Sequence, residues 1–489
     1  MTSRATTAAK FPPLTNVAAA LLFAWALLVW FEAVPIGHLH TGDTDNLVLG
    51  ARLAAECIRE GVFSECGLIE GTVNTRVFPY ALLQYLPASA FIGAGLSDEG
   101  VVEALARLNL IAFVASLLLA WVALRSRGRG IQSIAVLAIL ASTATYQATS
   151  GFGEMLTAAL VLACVTASVH RRPLLIVVTA ALASTGRETL APFVFLLGAL
   201  AGRREDARVF PPARVLGPLA VGVMTGVVAS AAFNFFRFGV VQNVLYLSPL
   251  FRTPGIARKF SHLAGLWVAP AGGLLWYWPV ATLALVGGAM VAIVHLRRDL
   301  QRPRTYLPAS LTLAAALTFT AGLASWWSPF GWISYGPRLV VPLMPALAVL
   351  ILYQTGSTIS RWLSPMASTK MGAVAIVGVL AAAGWPQYGA PWSYGAAIDS
   401  LIAPASACTA TATIEVDPNG YYRCLEQLMW RFSPSPIASA ATAGDTVANT
   451  ARVVALLAAC ALAFEFTRGC RYASTNGRAS RPLDQVNDE

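Results

Sequence analysis

Apolar stretches of about twenty residues recur along nearly the whole chain, and within them the hydrophobic positions run continuously instead of alternating with polar ones. Such runs are long enough to cross a bilayer. There every backbone N–H and C=O must be satisfied inside its own segment or in a closed barrel, so uninterrupted runs select helices over strands. The pattern predicts spans over roughly 15–36, 103–124, 131–149, 152–169, a hairpin of two short helices over 173–201, then 213–234, 273–295, 305–325, 339–355, 370–387 and 448–467. With the hairpin counted as two, the expected fold is an all-α polytopic bundle of about twelve transmembrane helices. Val77 to Leu96 is also apolar, but Pro79 and Pro87 interrupt it. A crossing there would invert every following loop, so it reads as a juxtamembrane or re-entrant helix in the first outer loop.

Composition agrees. The chain has 489 residues, of which 56% are hydrophobic and 12% charged, with a mean hydropathy of +0.63. That leaves too little polar surface to coat a soluble domain. The net charge of +10 reads as topology and calls for no nucleic-acid partner, because the arginines cluster in short segments. Arg125, Arg127 and Arg129, Arg171 and Arg172, Arg203, Arg204 and Arg208, Arg297 and Arg298, and Arg468 and Arg471 mark the expected cytoplasmic ends, and both termini with them. The first apolar run lacks a cleavage pattern and reads as a retained anchor. Lys10, Lys259 and Lys370 are the only lysines, which with the alanine load suggests a GC-rich bacterial genome and hence an inner membrane.

Three outer segments are long: 37–102, 235–272 and 389–447. Function is expected there, since long loops in a bundle tend to carry it. Residues 1–388 form the expected transmembrane core, 389–447 an outer loop or flap, and 448–489 the last helix and a cytoplasmic tail. Cys57 pairs naturally with Cys66, and Cys408 with Cys424, as disulfides on an oxidising side; Cys164, Cys460 and Cys470 are expected as free thiols.

The first outer loop opens Gly37-His-Leu-His-Thr-Gly-Asp43-Thr-Asp45, followed by an amphipathic helix from Leu47 to Glu60. A carboxylate at this surface suits a general base acting on a hydroxyl; capping of the following helix is the plainer role for either aspartate. His38 and His40 beside them leave a divalent ion open, but no cofactor is called for, and no phosphate-binding or dinucleotide fingerprint occurs. Arg187 and Glu188 lie between the two half-length runs of the hairpin and must face a polar cavity, because a charge at mid-bilayer costs about 2.5–3.5 kcal/mol. Trp276, Tyr277, Trp278, Trp326, Trp327, Trp332 and Tyr335 read first as an interfacial belt.

Four motifs together resemble the GT-C class of membrane glycosyltransferases, in the branch of bacterial arabinosyl, mannosyl and aminoarabinose transferases that use polyprenyl-phosphate sugars. These are Gly42-Asp-Thr-Asp45; Ser184-Thr-Gly-Arg-Glu188; Asn234-Phe-Phe-Arg-Phe-Gly239 leading into Pro270-Ala-Gly-Gly-Leu-Leu-Trp-Tyr-Trp-Pro279; and the segment from Trp327 to Tyr335-Gly-Pro-Arg338. The resemblance implies inverting transfer of a sugar from a polyprenyl-phosphate donor to a hydroxyl of a glycan, lipid or protein at the outer face. It makes Asp43 the best match to the base, with Asp45 its rival, since Leu47 stands where the family has an aromatic. It implies Arg338 and Arg187 at the donor phosphate, with Arg258, Lys259 and His262 as a third cationic group, and Glu188, Trp327 and Tyr335 lining the pocket. A multi-pass transporter or lipid-linked-sugar flippase is the alternative, in which Arg187 and Glu188 mark a substrate path. A non-catalytic assembly partner is the third reading.

Overall fold

The apolar runs fold as helices throughout a computed structural model that describes residues 14–33, 42–69, 72–73, 80–151, 153–203, 211–244, 252–298, 303–326, 328–329, 337–388, 418–430 and 446–479. The helices are α1 Leu14–Leu28, α2 Gly42–Arg59, α3 Leu82–Gly93, α4 Asp98–Ala123, α5 Arg129–Leu140, α6 Ala144–Gln147, α7 Glu154–Val169, α8 Pro173–Ser184, α9 Ala191–Ala201 and α10 Ala213–Phe238. There follow α11 Ile256–Val268, α12 Leu274–Tyr277, α13 Pro279–Arg298, α14 Pro303–Ala324, α15 Met344–Ser368, α16 Lys370–Ala382, α17 Trp385–Tyr388, α18 Pro418–Met429 and α19 Thr446–Ala479. The described strands are one two-residue antiparallel pair, β1 Leu68–Ile69 and β2 Thr72–Val73.

Among the described residues, six helices are long and apolar enough to cross a membrane: α1, α4, α10, α13, α14 and α19. Shorter apolar helices complete the bundle, among them α5, α7, α8, α9 and α16. At the centre lies α15, whose Met344–Leu352 stretch is enclosed on all sides by α5, α7, α13 and α19. The hairpin forms as expected, with α8 and α9 joined through a 3-10 turn at Glu188–Leu190. The apolar Pro-interrupted segment gives α3, with Pro87 inside it; Val77 to Pro79 lie outside the described residues.

The spans over 131–149 and 339–355 differ from expectation. The run over 131–149 breaks after Leu140, where Thr143 N–H donates to Tyr277 O and the Thr145 hydroxyl donates to Gln387 O. The Tyr277 carbonyl thus pairs a backbone N–H that a continuous helix would have paired itself, which is the condition for a break at this depth. The span over 339–355 starts later and runs to Ser368, because the polar positions in its second half are absorbed. Thr355 donates to Ile351 O one turn back, and Thr312 reaches across from α14 to Gln354.

Beside the bundle, α2, α3 and the first turns of α4 build a second apolar cluster from Leu47, Val48, Ala51, Tyr85, Ala88, Val101, Val102 and Leu105. The expected Cys57–Cys66 disulfide closes its edge. Cys424 in α18 is disulfide-bonded too, while Cys408 lies outside the described residues. Cys164, Cys460 and Cys470 are free thiols.

Candidate active site

Charged side chains inside a helical bundle have to find one another, since removing one member of a buried pair leaves an uncompensated charge worth about 3–5 kcal/mol. Glu154 opens α7 and is only 3% exposed. Its Oε1 lies 3.1 Å from Nη2 of Arg187 and 3.5 Å from Nε of Arg338. Arg187 stands in extended backbone just before the 3-10 turn of the hairpin, and Arg338 begins the short turn that leads into α15. Three distant chain segments thus meet on one carboxylate oxygen. The other, Oε2, is buried without a hydrogen-bond partner.

A second cluster adjoins the first through the chain itself. Arg237, near the end of α10, is fully buried and places Nη2 2.9 Å from Glu188 Oε1. Its guanidinium also donates to Asn234 Oδ1 and Tyr80 O and lies against the Phe233 and Phe238 rings. Asn243 Nδ2 donates to the same Glu188 oxygen at 3.2 Å. Arg187 therefore does not neutralise its neighbour Glu188. In extended backbone successive side chains point to opposite sides, so the two residues enter separate pairs.

The acidic loop is tied to this centre by close packing at glycines. A Cβ on Gly151 would come within 2.6 Å of the Thr44 side chain, and one on Gly153 within 2.6 Å of Gln84. Leu83 N–H donates to Thr185 O, which joins α3 to the hairpin turn. Thr44, itself fully buried, lies between the two candidate aspartates, so the start of α2 rests on the segment that leads directly into Glu154. The helix begins at Gly42 rather than at Leu47. Asp45 is consequently a residue of the first turn and not the cap preceding it, and its side chain is exposed. The side chain of Asp43 lies outside the described residues, as do His38, His40, Trp327 and Tyr335.

Arg258, Lys259 and His262 occupy a separate element, the amphipathic α11. Arg258 lies 3.7 Å from Glu426 of α18 and 5.2 Å over the ring of Tyr422. Tyr422 donates its hydroxyl to Arg252 O, burial pushing its pKa up to about 12. Ala271 N–H donates to Met429 O at the other end of the same helix. α18 is thus docked on α11. His262 is enclosed beside Thr253, its Nδ1 3.3 Å from the hydroxyl. Burial first, and the charge of Arg258 after it, hold its pKa down to about 4. At neutral pH it adds no charge, and the cationic group on α11 consists of Arg258 and half-exposed Lys259.

The aromatic cluster divides in a way the belt reading misses. Trp276 is partly exposed, but Tyr277 and Trp278 are wholly enclosed by the bundle. Among the described residues no three His, Cys, Asp or Glu side chains gather as a metal site. The sequence also gave no weight to Glu154 or Arg237. The available signals were an acid behind Gly151 and Gly153 at the head of an apolar run, and an arginine inside the Asn234 to Gly239 motif.

No family model and none of the curated proteins matches the chain. Among solved structures it is similar to ArnT from Cupriavidus metallidurans in the apo state, at 15% identity and a TM-score of 0.44 over 93% of this chain and 78% of that one. It is also similar to ArnT bound to undecaprenyl phosphate, at 16% identity and a TM-score of 0.42 over 97% and 82% of the two chains.

Proposed function

We propose that this chain, which resembles the GT-C membrane glycosyltransferases, transfers a sugar with inversion from a polyprenyl-phosphate donor to a hydroxyl of a cell-envelope glycan, lipid or protein at the outer face of a bacterial inner membrane. The observation that supports it most is the convergence of buried Arg338 and largely enclosed Arg187 at the head of α7, against which the aspartate-bearing start of α2 is packed. The reaction needs both halves. Asp43, with Asp45 as its rival, takes the proton of the acceptor hydroxyl as that oxygen attacks the anomeric carbon. The anomeric C–O bond breaks, its electron pair stays on the phosphate, and Arg187 and Arg338 stabilise the charge that accumulates there. Attack on the face opposite the leaving phosphate inverts the sugar. The burial of Arg338 and the partial enclosure of Arg187 limit screening by water, which strengthens the interaction where charge develops. The docked α18 is read as part of a flap that contacts the acceptor.

The test is sugar release from a panel of labelled polyprenyl-phosphate sugars by the purified protein in lipid, for wild type, Asp43→Asn and Asp45→Asn. The aspartate acting as base is expected to lose about 10²–10⁴-fold in turnover when changed, while the other keeps most of it. A folded wild type that neither binds nor cleaves any donor would transfer the weight to a transporter.

A further inference from the structure

Glu154 has no part in the transfer as written, yet it sits where both proposed phosphate ligands meet. Its burial, its contacts to Arg187 and Arg338, and the absence of a hydrogen bond to Oε2 mean that the two guanidinium groups are its described charge partners. The trio carries a net charge of +1 instead of the +2 of the arginines alone. The neighbouring Glu188–Arg237 pair is neutral as a unit and leaves this sum unchanged.

Donor and spent carrier differ in charge. A lipid phosphate esterified to a sugar is a diester with one negative charge. When the sugar leaves, the electron pair of the broken C–O bond stays behind, and the resulting monoester carries about −1.5 to −2 at neutral pH. An uncompensated arginine pair would hold the spent carrier harder than the donor, and turnover would stall on release. We infer that Glu154 is a specificity-determining residue that lowers the charge of the arginine site, so that its advantage for the bare phosphomonoester over a lipid phosphodiester is reduced and the spent carrier leaves. This rests on the glycosyltransferase reading and deepens it.

Coulomb energy scales with the product of the charges, so neutralising Glu154 adds a fixed increment per unit of ligand charge. The dianion then gains about twice as much in the logarithm of affinity as the monoanion does. The experiment measures dissociation constants of undecaprenyl phosphate and of undecaprenyl methyl phosphate, a diester without a sugar, for the full-length protein in lipid nanodiscs at pH 7.5 and fixed salt. Wild type is compared with Glu154→Gln and with Glu154→Asp, which keeps the charge. Glu154→Gln is expected to tighten both lipids, a threefold gain for the diester accompanying about a ninefold gain for the monoester. Glu154→Asp is expected to keep the wild-type ratio of the two constants. Equal changes for both lipids in Glu154→Gln, or a Glu154→Asp ratio that follows Glu154→Gln, overturns the charge role. If wild type turns over donor and the ratio is unmoved, this inference falls alone; if wild type binds neither lipid, it falls together with the proposed function.

Discussion

Arg237 shows how much of the site depends on single side chains that never face the acceptor. Its guanidinium satisfies Glu188, Asn234 and the Tyr80 carbonyl at once, and two phenylalanine rings cover what remains. It therefore fixes the end of α10 to the hairpin turn and, through the intervening peptide, fixes the direction of Arg187. Replacing it by Met keeps the apolar contacts but leaves Glu188 largely enclosed with only an amide donor. The expected loss is about 3 kcal/mol, the lower end for a buried pair broken on one side, because the Glu188 side chain keeps 18% exposure. The thermal midpoint in detergent reads this directly. Adding Glu188→Gln to Arg237→Met should recover a large part of the loss; a double variant as unstable as the sum of the singles would show the pair to be uncoupled. Neither this pair nor Glu154 was legible along the chain. The partners lie 33 and 49 positions apart in Arg187–Glu154 and Arg237–Glu188, whereas adjacency suggested Arg187 with Glu188, and only the extended backbone at Arg187 separates those two.

Helices bring these residues together, and α8 and α10 approach to backbone contact. Gly222 and Gly226 are four apart on α10, and a Cβ on either would come within 2.5 Å of a backbone carbonyl of α8, that of Val177 or of Ala181. Small residues at this spacing let backbones touch in a bilayer, where apolar burial alone gives helices little reason to associate. Gly226→Leu is expected to force α8 from α10, to cost about 1–3 kcal/mol and to lower donor turnover, since the hairpin turn carrying Arg187 moves with α8. Gly217→Leu, on the same helix but with open space around its Cβ position, is the matched control and should leave both unchanged. Thermal midpoints and sugar release of the two variants, side by side, check the contrast. At this scale hydropathy foretold the hairpin, the interrupted α3 and a helix after the two aspartates. It missed the break between α5 and α6 and the early start of α2. Helix ends depend on which distant carbonyl pairs the terminal backbone groups, and Tyr277 O lies far along the chain from the Thr143 N–H that it accepts from.

Across the whole molecule, charge is distributed by end. α4 and α7 run side by side in the same direction. Asn109 joins their first halves through Ser150 O and Leu156 N–H, and His170 meets Val122 O at their far ends. Their N-terminal end carries Asp98, Glu99 and Glu154 beside the disulfide-closed α2–α3 cluster. Their C-terminal end carries Arg125, Arg127, Arg171 and Arg172. For two parallel apolar helices this is the arrangement that the positive-inside rule produces, and it puts the Glu154 trio at the end opposite the arginine-rich turns. α4 has 26 residues, about 39 Å at 1.5 Å per residue, which clears a hydrocarbon core of about 30 Å. A crossing by α4 puts its two ends in different compartments. Glu99 and Ser126 are both exposed and flank it. In whole cells a membrane-impermeant maleimide is expected to label Glu99→Cys without lysis and Ser126→Cys only after the membrane is opened. The reverse pattern would turn the trio and both aspartates toward the cytoplasm, and transfer at the outer face would fail with it. Labelling of both from outside would mean that α4 does not cross at all.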